Sequence, residues 1–120
     1  MQHGAVRALT LADDYYRDLA ADYQHKRDYL AAGLREAGLE VDIPAGCYFL
    51  MAGIRPLGFD DDFAFCKHLA ANVGVAAIPP SAFFSAEHKA LGKFYARFAF
   101  CKTMGLLEQA RERLLKLRRR

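Results

Sequence analysis

The chain contains 120 residues, of which 53% are hydrophobic and 26% charged, and its formal net charge is +3. This length suits a single domain with one hydrophobic core, and the composition is that of an ordinary globular protein. No stretch approaches the roughly 20 apolar residues that cross a bilayer, and the N-terminal residues lack the apolar core of a secretory signal. The sequence therefore predicts no membrane partner and a cytoplasmic location.

Part of the positive charge lies at the C-terminus, in the segment KLRRR at 116–120. A basic end can bind nucleic acid, but the same charges also suit the C-terminal dipole of a helix. Because no basic surface interleaved with aromatic residues accompanies this tail, we interpret it as a solvated helix end. No nucleic-acid partner is predicted.

The cysteine pattern argues against both disulfides and a zinc site. The three cysteines, Cys47, Cys66 and Cys101, are irregularly spaced and form no CxxC pair. Each is flanked by aromatic or apolar residues, which is typical of small buried side chains in a reducing compartment. We therefore expect buried free thiols.

In chain order, apolar periodicity and turn residues predict seven elements after an initial segment, residues 1–10, that has no strong pattern. From Tyr16 onward, Leu19, Leu30 and other apolar residues recur at helical spacing, and Gly38 follows them as a left-handed C-cap. The remaining elements are, in order, strands over 39–43 and 47–52, a helix over 63–74, strands over 75–78 and 94–101, and a helix over 103–117.

This order of elements predicts an α/β fold of the α+β-like small-domain type. The simplest arrangement that hides the apolar faces is a small mixed sheet of about four strands covered by three main helices. The strand at 47–52 is continuously apolar, which predicts that it is covered on both faces. The strand at 94–101 alternates, so its two faces carry different residues: Phe94, Ala96, Phe98 and Phe100 on one, and Tyr95, Arg97, Ala99 and Cys101 on the other.

Complete catalytic or metal-binding sets are missing from the sequence. The four histidines match no zinc motif, and neither a GxSxG motif nor a P-loop occurs. The run Asp60-Asp61-Asp62 lacks the glycine and the distal glutamate of a calcium loop, and acids are favourable at a helix start. We therefore predict that these acids cap the following helix, that no metal is bound, and that no catalytic residue lies in this chain.

Arg97 has an unusual setting, because it lies inside an otherwise apolar strand. A guanidinium among such neighbours must find an anion or reach solvent, since burying it unpaired is costly. One interpretation is a two-pronged clamp for a carboxylate ligand, which the planar fork of arginine fits. The other is an arginine that faces water on the open side of a sheet. Spacing alone leaves both open.

Three segments resemble the class I/II aminotransferases of fold type I, which depend on pyridoxal phosphate. The run PAGCYFLMA at 44–52 resembles their P-x-G-G-Y-F-x-x-A strand. The segment 65–83 is similar to their F-C-x-x-L…G-V-A-A-I-P-x-S-x-F stretch, and YARFAFCK at 95–102 to their Y-x-R-F-x-F-x-K strand. The resemblance covers about residues 19–117 and is nearest to the kynurenine/glutamine transaminase and methionine aminotransferase branch.

The resemblance implies a role for four residues. The arginine of the family's R-F-x-F strand binds the substrate's α-carboxylate, and the matching residue here is Arg97. Tyr48 would lie near the substrate wall, although core packing explains an aromatic residue there equally well. Ser81 and Phe83 belong to a loop that would lie towards the cofactor domain. We expect these four residues to contribute to substrate binding.

The resemblance also implies that residues 1–120 form the C-terminal small domain, with 1–18 as a connector from a missing large domain. The family's cofactor lysine and phosphate-binding groups precede this region, so pyridoxal phosphate would be held by the parent enzyme and not by this chain alone. The parent would move an amino group between an amino acid and a 2-oxo acid, and a homodimer is expected. The isolated chain is expected to be inactive. The sequence departs from the family at Cys47, where the family has a second glycine.

Two other hypotheses remain. The chain could be a stand-alone amino-acid-binding or regulatory α/β module without catalysis, with Arg97 still clamping a carboxylate. It could also be a structural part whose aromatic surface docks a partner chain. Tyr15, Tyr16, Phe83 and Phe84 add aromatic groups of that kind, and we expect the isolated chain to self-associate or to be less stable than its length suggests.

Overall fold

The computed structural model describes residues 1–119, so the last residue of the basic tail, Arg120, lies outside the description. Within the described range the helices are α1 (Gln2–Leu9), α2 (Asp13–Glu36), α3 (Asp62–His68), α4 (Lys89–Gly92) and α5 (Met104–Leu114). The strands of the same range are β1 (Glu40–Val41), β2 (Phe49–Gly53) and β3 (Tyr95–Ala99). Shorter helical turns extend or separate these elements at Arg55–Leu57, Leu69–Val73, Pro80–Phe83, Ala86–His88 and Leu115–Arg119.

Helix α2 ends as the sequence predicts. The N–H of Gly38, at φ 95°, donates to the carbonyl of Arg35, and the N–H of Leu39 donates to the carbonyl of Leu34, each at 3.0 Å. These two bonds form a Schellman motif, in which glycine adopts the left-handed conformation without steric cost. The predicted C-cap is therefore confirmed.

The N-terminal segment forms a helix that the sequence did not predict. Helix α1 has no buried side chain, and the buried residues of α2 all lie at Leu30 or beyond. The first part of the chain therefore contributes little to the core. Among residues 1–119, no helix combines the length and the apolar character needed to cross a lipid bilayer.

The sheet has three strands in the order β1-β2-β3, and both pairings are antiparallel. A mixed sheet of about four strands was expected, and that detail is wrong. The predicted strand at 75–78 is reduced to a single antiparallel bridge between Ile78 and Arg97. At its start the N–H of Val75 donates to the carbonyl of Leu69, the first residue of the turn that extends α3. At its end the prolines at 79–80 have no N–H to continue the ladder.

The two faces of the sheet differ in burial. In β3, Ala96 and Phe98 are buried whereas Arg97 and Ala99 are half-buried, so the predicted alternation is confirmed. Strand β2 alternates in the same way at Phe49–Ala52, so the expected cover on both of its faces is wrong. One face is covered by helices, and the other, which we call the open face, carries the odd-numbered residues of β2 and β3.

Three helices cover the buried face, as predicted, and the α/β fold class is confirmed. Side chains of α2, α3 and α5 join those of the sheet in one buried cluster that includes Leu34, Leu50, Phe65, Phe98, Phe100 and Leu114. Helices α2 and α5 approach closely at Gly33, where an added Cβ would lie 2.8 Å from Cγ of Arg111. Thr103 precedes α5 at the predicted N-cap position.

The cysteines do not share one environment. Cys66 is buried and Cys101 is half-buried, but Cys47 is exposed. The expected burial of all three is therefore wrong for Cys47. Its φ of 77° shows that it occupies the left-handed conformation in the turn before β2.

Candidate functional site

The site begins with the backbone of Arg97, which is fixed from both sides of β3. Arg97 is the register partner of Met51 in β2. On the other side, its N–H donates to the carbonyl of Ile78 at 2.9 Å and its carbonyl accepts from the N–H of Ile78 at 3.0 Å. An arginine placed on regular sheet is positioned more rigidly than one on a loop.

The side chain of Arg97 lies on the open face between two aromatic rings. Its Cζ atom is 4.8 Å from the ring centroid of Phe49 and 5.1 Å from that of Phe83. Among residues 1–119, none of the salt bridges involves Arg97. Stacking on rings uses the faces of a guanidinium and leaves its N–H edge for a planar anion. This arrangement can receive a carboxylate.

Phe83 and Ser81 lie on the same helical turn, Pro80–Phe83, but they face different surroundings. The ring of Phe83 is 67% exposed and contacts Arg97. Ser81 is 6% exposed; its N–H and its Oγ–H donate to the carboxylate of Asp62 at 2.8 and 3.0 Å. The structure therefore brings Phe83 to Arg97 and turns Ser81 inward. A substrate contact for Ser81 stays a prediction.

Two of the three acids at the start of α3, Asp61 and Asp62, have different roles. Asp61 is the N-cap, as predicted, and its carboxylate accepts a hydrogen bond from the N–H of Ala64 at 2.7 Å. Asp62 is only 1% exposed and accepts from Phe63 at 3.1 Å as well as from Ser81. Sequence reasoning treated Asp62 only as a capping charge. Its partner lies 19 residues away, so no local pattern could have indicated the contact.

Tyr48 lies next to the arginine site through Phe49. The Tyr48 and Phe49 rings are perpendicular, with centroids 5.4 Å apart, and Tyr48 is 48% exposed. This exposure argues against core packing as the reason for an aromatic residue there. Sequence reasoning did not single out Phe49, although its position two residues from the register partner of Arg97 places it on the same face.

A groove of about 290 Å³ runs along the open face beside this cluster. It is lined by residues of both sheet edges and the turn before β2: Glu40, Asp42, Ile43, Pro44, Cys47, Phe49, Met51, Gly53 and Tyr95. Arg97 stands next to the groove, since its register partner Met51 forms part of the wall. The open face therefore combines a cation, aromatic rings and a concave surface.

Comparison with known proteins decides the family. The family model described as aminotransferase class I and II matches residues 1–114. The chain belongs to this family.

Relatives and solved structures agree with the assignment. The kynurenine–oxoglutarate transaminase of Dictyostelium discoideum is 34% identical, over 88% of this chain and 28% of its own length. The methionine aminotransferase of Escherichia coli is 37% identical, over 91% of this chain and 29% of its own length. The structure of N-succinyldiaminopimelate aminotransferase from Mycobacterium tuberculosis superposes with a TM-score of 0.85 at 43% identity, covering 97% of this chain and 30% of that one. The chain thus spans somewhat less than a third of the relatives that it matches.

Class I and II aminotransferases depend on pyridoxal phosphate, so the residues described here can be tested against that cofactor. The cofactor needs an amine for its covalent bond and donors for its phosphate. Phe49 and Phe83, whose rings contact Arg97, supply neither. The amine of Lys26 pairs with Asp22 at 2.6 Å, and that of Lys93 lies 5.3 Å from the ring centroid of Phe94. The surroundings of Arg97 therefore do not fit the cofactor.

Proposed function

We propose that residues 1–120 are the C-terminal small domain of a pyridoxal-phosphate-dependent aminotransferase, and that Arg97 binds the substrate's α-carboxylate. In this proposal residues 1–18 connect the domain to a larger cofactor domain. The complete enzyme moves an amino group between an amino acid and a 2-oxo acid. Family membership supports the reaction class, and the surroundings of Arg97 support the role of this chain within it.

The observation that carries the proposal is the guanidinium of Arg97, half-buried between two rings and outside every salt bridge of residues 1–119. Withdrawing a cation from water is unfavourable unless an anion compensates it. Because this guanidinium lies on the open face beside a groove, we infer that its anion comes from outside the domain. A carboxylate suits the planar fork because two N–H groups can donate to its two oxygens.

In this role Arg97 makes and breaks no bond. It binds the carboxylate and fixes the orientation of the carbon that carries the amino group, so that the reacting bond is presented to the chemistry supplied by the large domain. Both substrates carry a carboxylate at the same place, so one arginine serves the amino acid and the 2-oxo acid. The isolated chain is expected to be inactive, because the cofactor lysine would belong to the large domain.

The finer assignments remain proposals as well. Relatives named kynurenine–oxoglutarate transaminase and methionine aminotransferase support the predicted branch, without identifying a substrate for this chain. The cytoplasmic location and the homodimer remain predictions. The alternative function, a stand-alone amino-acid-binding module, is favoured by one observation: the contacts of Arg97 with Phe49 and Phe83 are complete within this chain.

The test is a kinetic comparison in the complete aminotransferase that the proposal requires. Arg97→Ala is expected to reduce kcat/KM by about 10²- to 10³-fold, mainly through KM, for amino and 2-oxo acids alike, because truncating one partner of a hydrogen-bonded charge pair costs about 2–5 kcal/mol. Arg97→Lys keeps the charge but not the fork, so we expect an intermediate loss.

Arg55→Ala is the matched control. Arg55 also lies over a ring, with Cζ 3.9 Å from the centroid of Phe94, but it belongs to the Arg55–Leu57 turn and not to β3. Its removal should leave KM unchanged. An unchanged KM in Arg97→Ala would contradict the carboxylate role. Both hypotheses expect the 120-residue chain to bind the carboxylate of methionine through Arg97, so amino transfer by the complete protein decides between them: binding without amino transfer favours the module.

A further inference from the structure

The buried carboxylate of Asp62 is held by hydrogen-bond donors and not by a cation. It accepts from the N–H of Phe63 and from the N–H and Oγ–H of Ser81, and none of the salt bridges within residues 1–119 involves it. A carboxylate that is 1% exposed must be compensated in this way, since an unpaired one is strongly disfavoured. Two of its three hydrogen-bond donors belong to Ser81, so Ser81 is the main partner of the carboxylate.

Ser81 is also confined from the opposite side. A Cβ added to Gly92, at the end of α4, would lie 2.7 Å from the N atom and 2.9 Å from the Cα atom of Ser81. Only glycine allows this close approach of two backbones. The turn Pro80–Phe83 is therefore fixed between Asp62, at the start of α3, and the backbone of α4.

The position of Phe83 depends on that turn. Phe83 is 67% exposed, so little packing holds its ring, yet the ring lies against the guanidinium of Arg97. A cation–π contact at an exposed site is weak in comparison with hydrogen bonds to a buried carboxylate. The hydrogen bonds between Asp62 and Ser81 therefore fix the turn, and the position of the turn determines where the Phe83 ring lies.

We propose that Asp62 is a positioning residue for substrate binding: by holding Ser81 it keeps the ring of Phe83 on Arg97. The Phe83 ring restricts the rotamers of the long Arg97 side chain. It therefore lowers the conformational entropy that Arg97 loses when its guanidinium binds a carboxylate. This inference rests on the proposed role of Arg97. Asp62 itself touches no substrate, and its effect passes through Ser81 and Phe83.

The test follows the Nε–Hε resonance of Arg97 by NMR in the 120-residue chain, because ring currents make this signal sensitive to Phe83. Arg97→Lys identifies the signal by its loss, and Phe83→Ala gives its position without the ring. Asp62→Asn and Ser81→Ala are expected to move the signal towards the Phe83→Ala value. Asp61→Asn is the matched control, since it changes the neighbouring N-cap and not the bond to Ser81, and the signal should stay in place.

The second measurement is the dissociation constant for methionine, followed by the same signal. We expect Asp62→Asn and Ser81→Ala to weaken methionine binding by about 3- to 10-fold, the scale of a lost preorganisation, and Asp61→Asn to leave it unchanged. Ser81→Ala removes a single hydroxyl, so it keeps the test decisive should Asp62→Asn fail to fold.

Three outcomes would overturn the inference, and they differ from one another. If neither variant moves the Arg97 signal, Asp62 does not position Phe83. If the signal moves but the affinity for methionine is unchanged, the ring does not assist binding. If the wild-type signal does not respond to methionine at all, the proposed role of Arg97 fails, and with it the substrate part of this inference.

Discussion

The two faces of β3 belong to one short strand but differ in burial and in the partners of their side chains. On the helix-covered face, Ala96 and Phe98 are buried in the core. On the open face, Arg97 is half-buried between Phe49 and Phe83 without an acidic partner among residues 1–119. Packing explains the first set of residues completely. It does not explain the second set, and this difference is why we propose the open face as the functional one.

The comparison also explains how the arginine is kept in place. The buried residues Ala96 and Phe98 anchor β3 in the core. Arg97 lies between them, and its backbone is held in place by pairing with Met51 on one side and Ile78 on the other. The same alternation that fills the core thus presents a charged side chain at a defined position. Stability and binding should then be separable by substitutions at adjacent residues.

The largest effect should come from the covered face. Phe98→Ala should lower the free energy of unfolding by about 3–5 kcal/mol, because it removes a buried ring and leaves a cavity. Arg97→Ala should lower it by only about 1 kcal/mol, the scale of exposed cation–π contacts. Urea unfolding of both variants measures the difference. Equal losses would show that Arg97 is a structural residue and would remove the distinction between the faces.

The reactivity of the cysteines tests which parts of the structure are closed to solvent. Burial, with a smaller contribution from the charge of Asp62, raises the pKa of the Cys66 thiol to about 12, and the thiolate is the reactive form. Cys47 is exposed. An alkylating reagent should therefore modify Cys47 first and Cys66 last, as mass spectrometry of timed samples would show. Rapid labelling of Cys66 would contradict the closed core on that side of the sheet.

The same thiol predicts a pH dependence of stability. Its pKa is raised from the ordinary value of 9.0, so folded Cys66 holds its proton more tightly than unfolded Cys66. Its contribution to the free energy of unfolding is complete below pH 9 and is lost as the pH rises towards 12. Between about pH 8 and about pH 10.5, the wild type should lose more stability than Cys66→Ala. Parallel pH profiles would exclude the effect.

The smallest effect concerns the turn before β2. Cys47 adopts φ 77°, a conformation that costs a residue with a side chain about 1–2 kcal/mol, so Cys47→Gly should stabilise the chain by about 0.5 kcal/mol after the greater unfolded-state entropy of glycine is allowed for. Gly58, at φ 72° with open space around it, is the opposite control: Gly58→Ala should destabilise. Thermal unfolding of both variants checks the signs, and a loss of stability in Cys47→Gly would contradict this account.

Local patterns in the sequence predicted what depends on neighbouring residues. The end of α2 at Gly38 and the alternation through Arg97 are both confirmed, because periodicity and a left-handed cap are properties of short segments. The resemblance to aminotransferases singled out Arg97 and Phe83, which lie in contact, and their role in substrate binding stays a prediction.

Contacts between distant segments escaped prediction. The bond of Asp62 to Ser81 crosses 19 residues, and Phe49 contacts Arg97 only because β2 pairs with β3. The strand expected at 75–78 failed for a related reason, since the turn that extends α3 and the following prolines take its backbone out of the ladder. Such outcomes depend on tertiary pairing, which a single sequence does not display.

The most direct test of the central claim compares two ligands that differ only at the carboxyl group. In the wild-type 120-residue chain, methionine should shift the Arg97 Nε–Hε resonance in a saturable manner, whereas methioninamide, which lacks the carboxylate, should leave it in place. Equal responses to the two ligands, or a response to neither, would contradict the assignment of Arg97 as the carboxylate anchor.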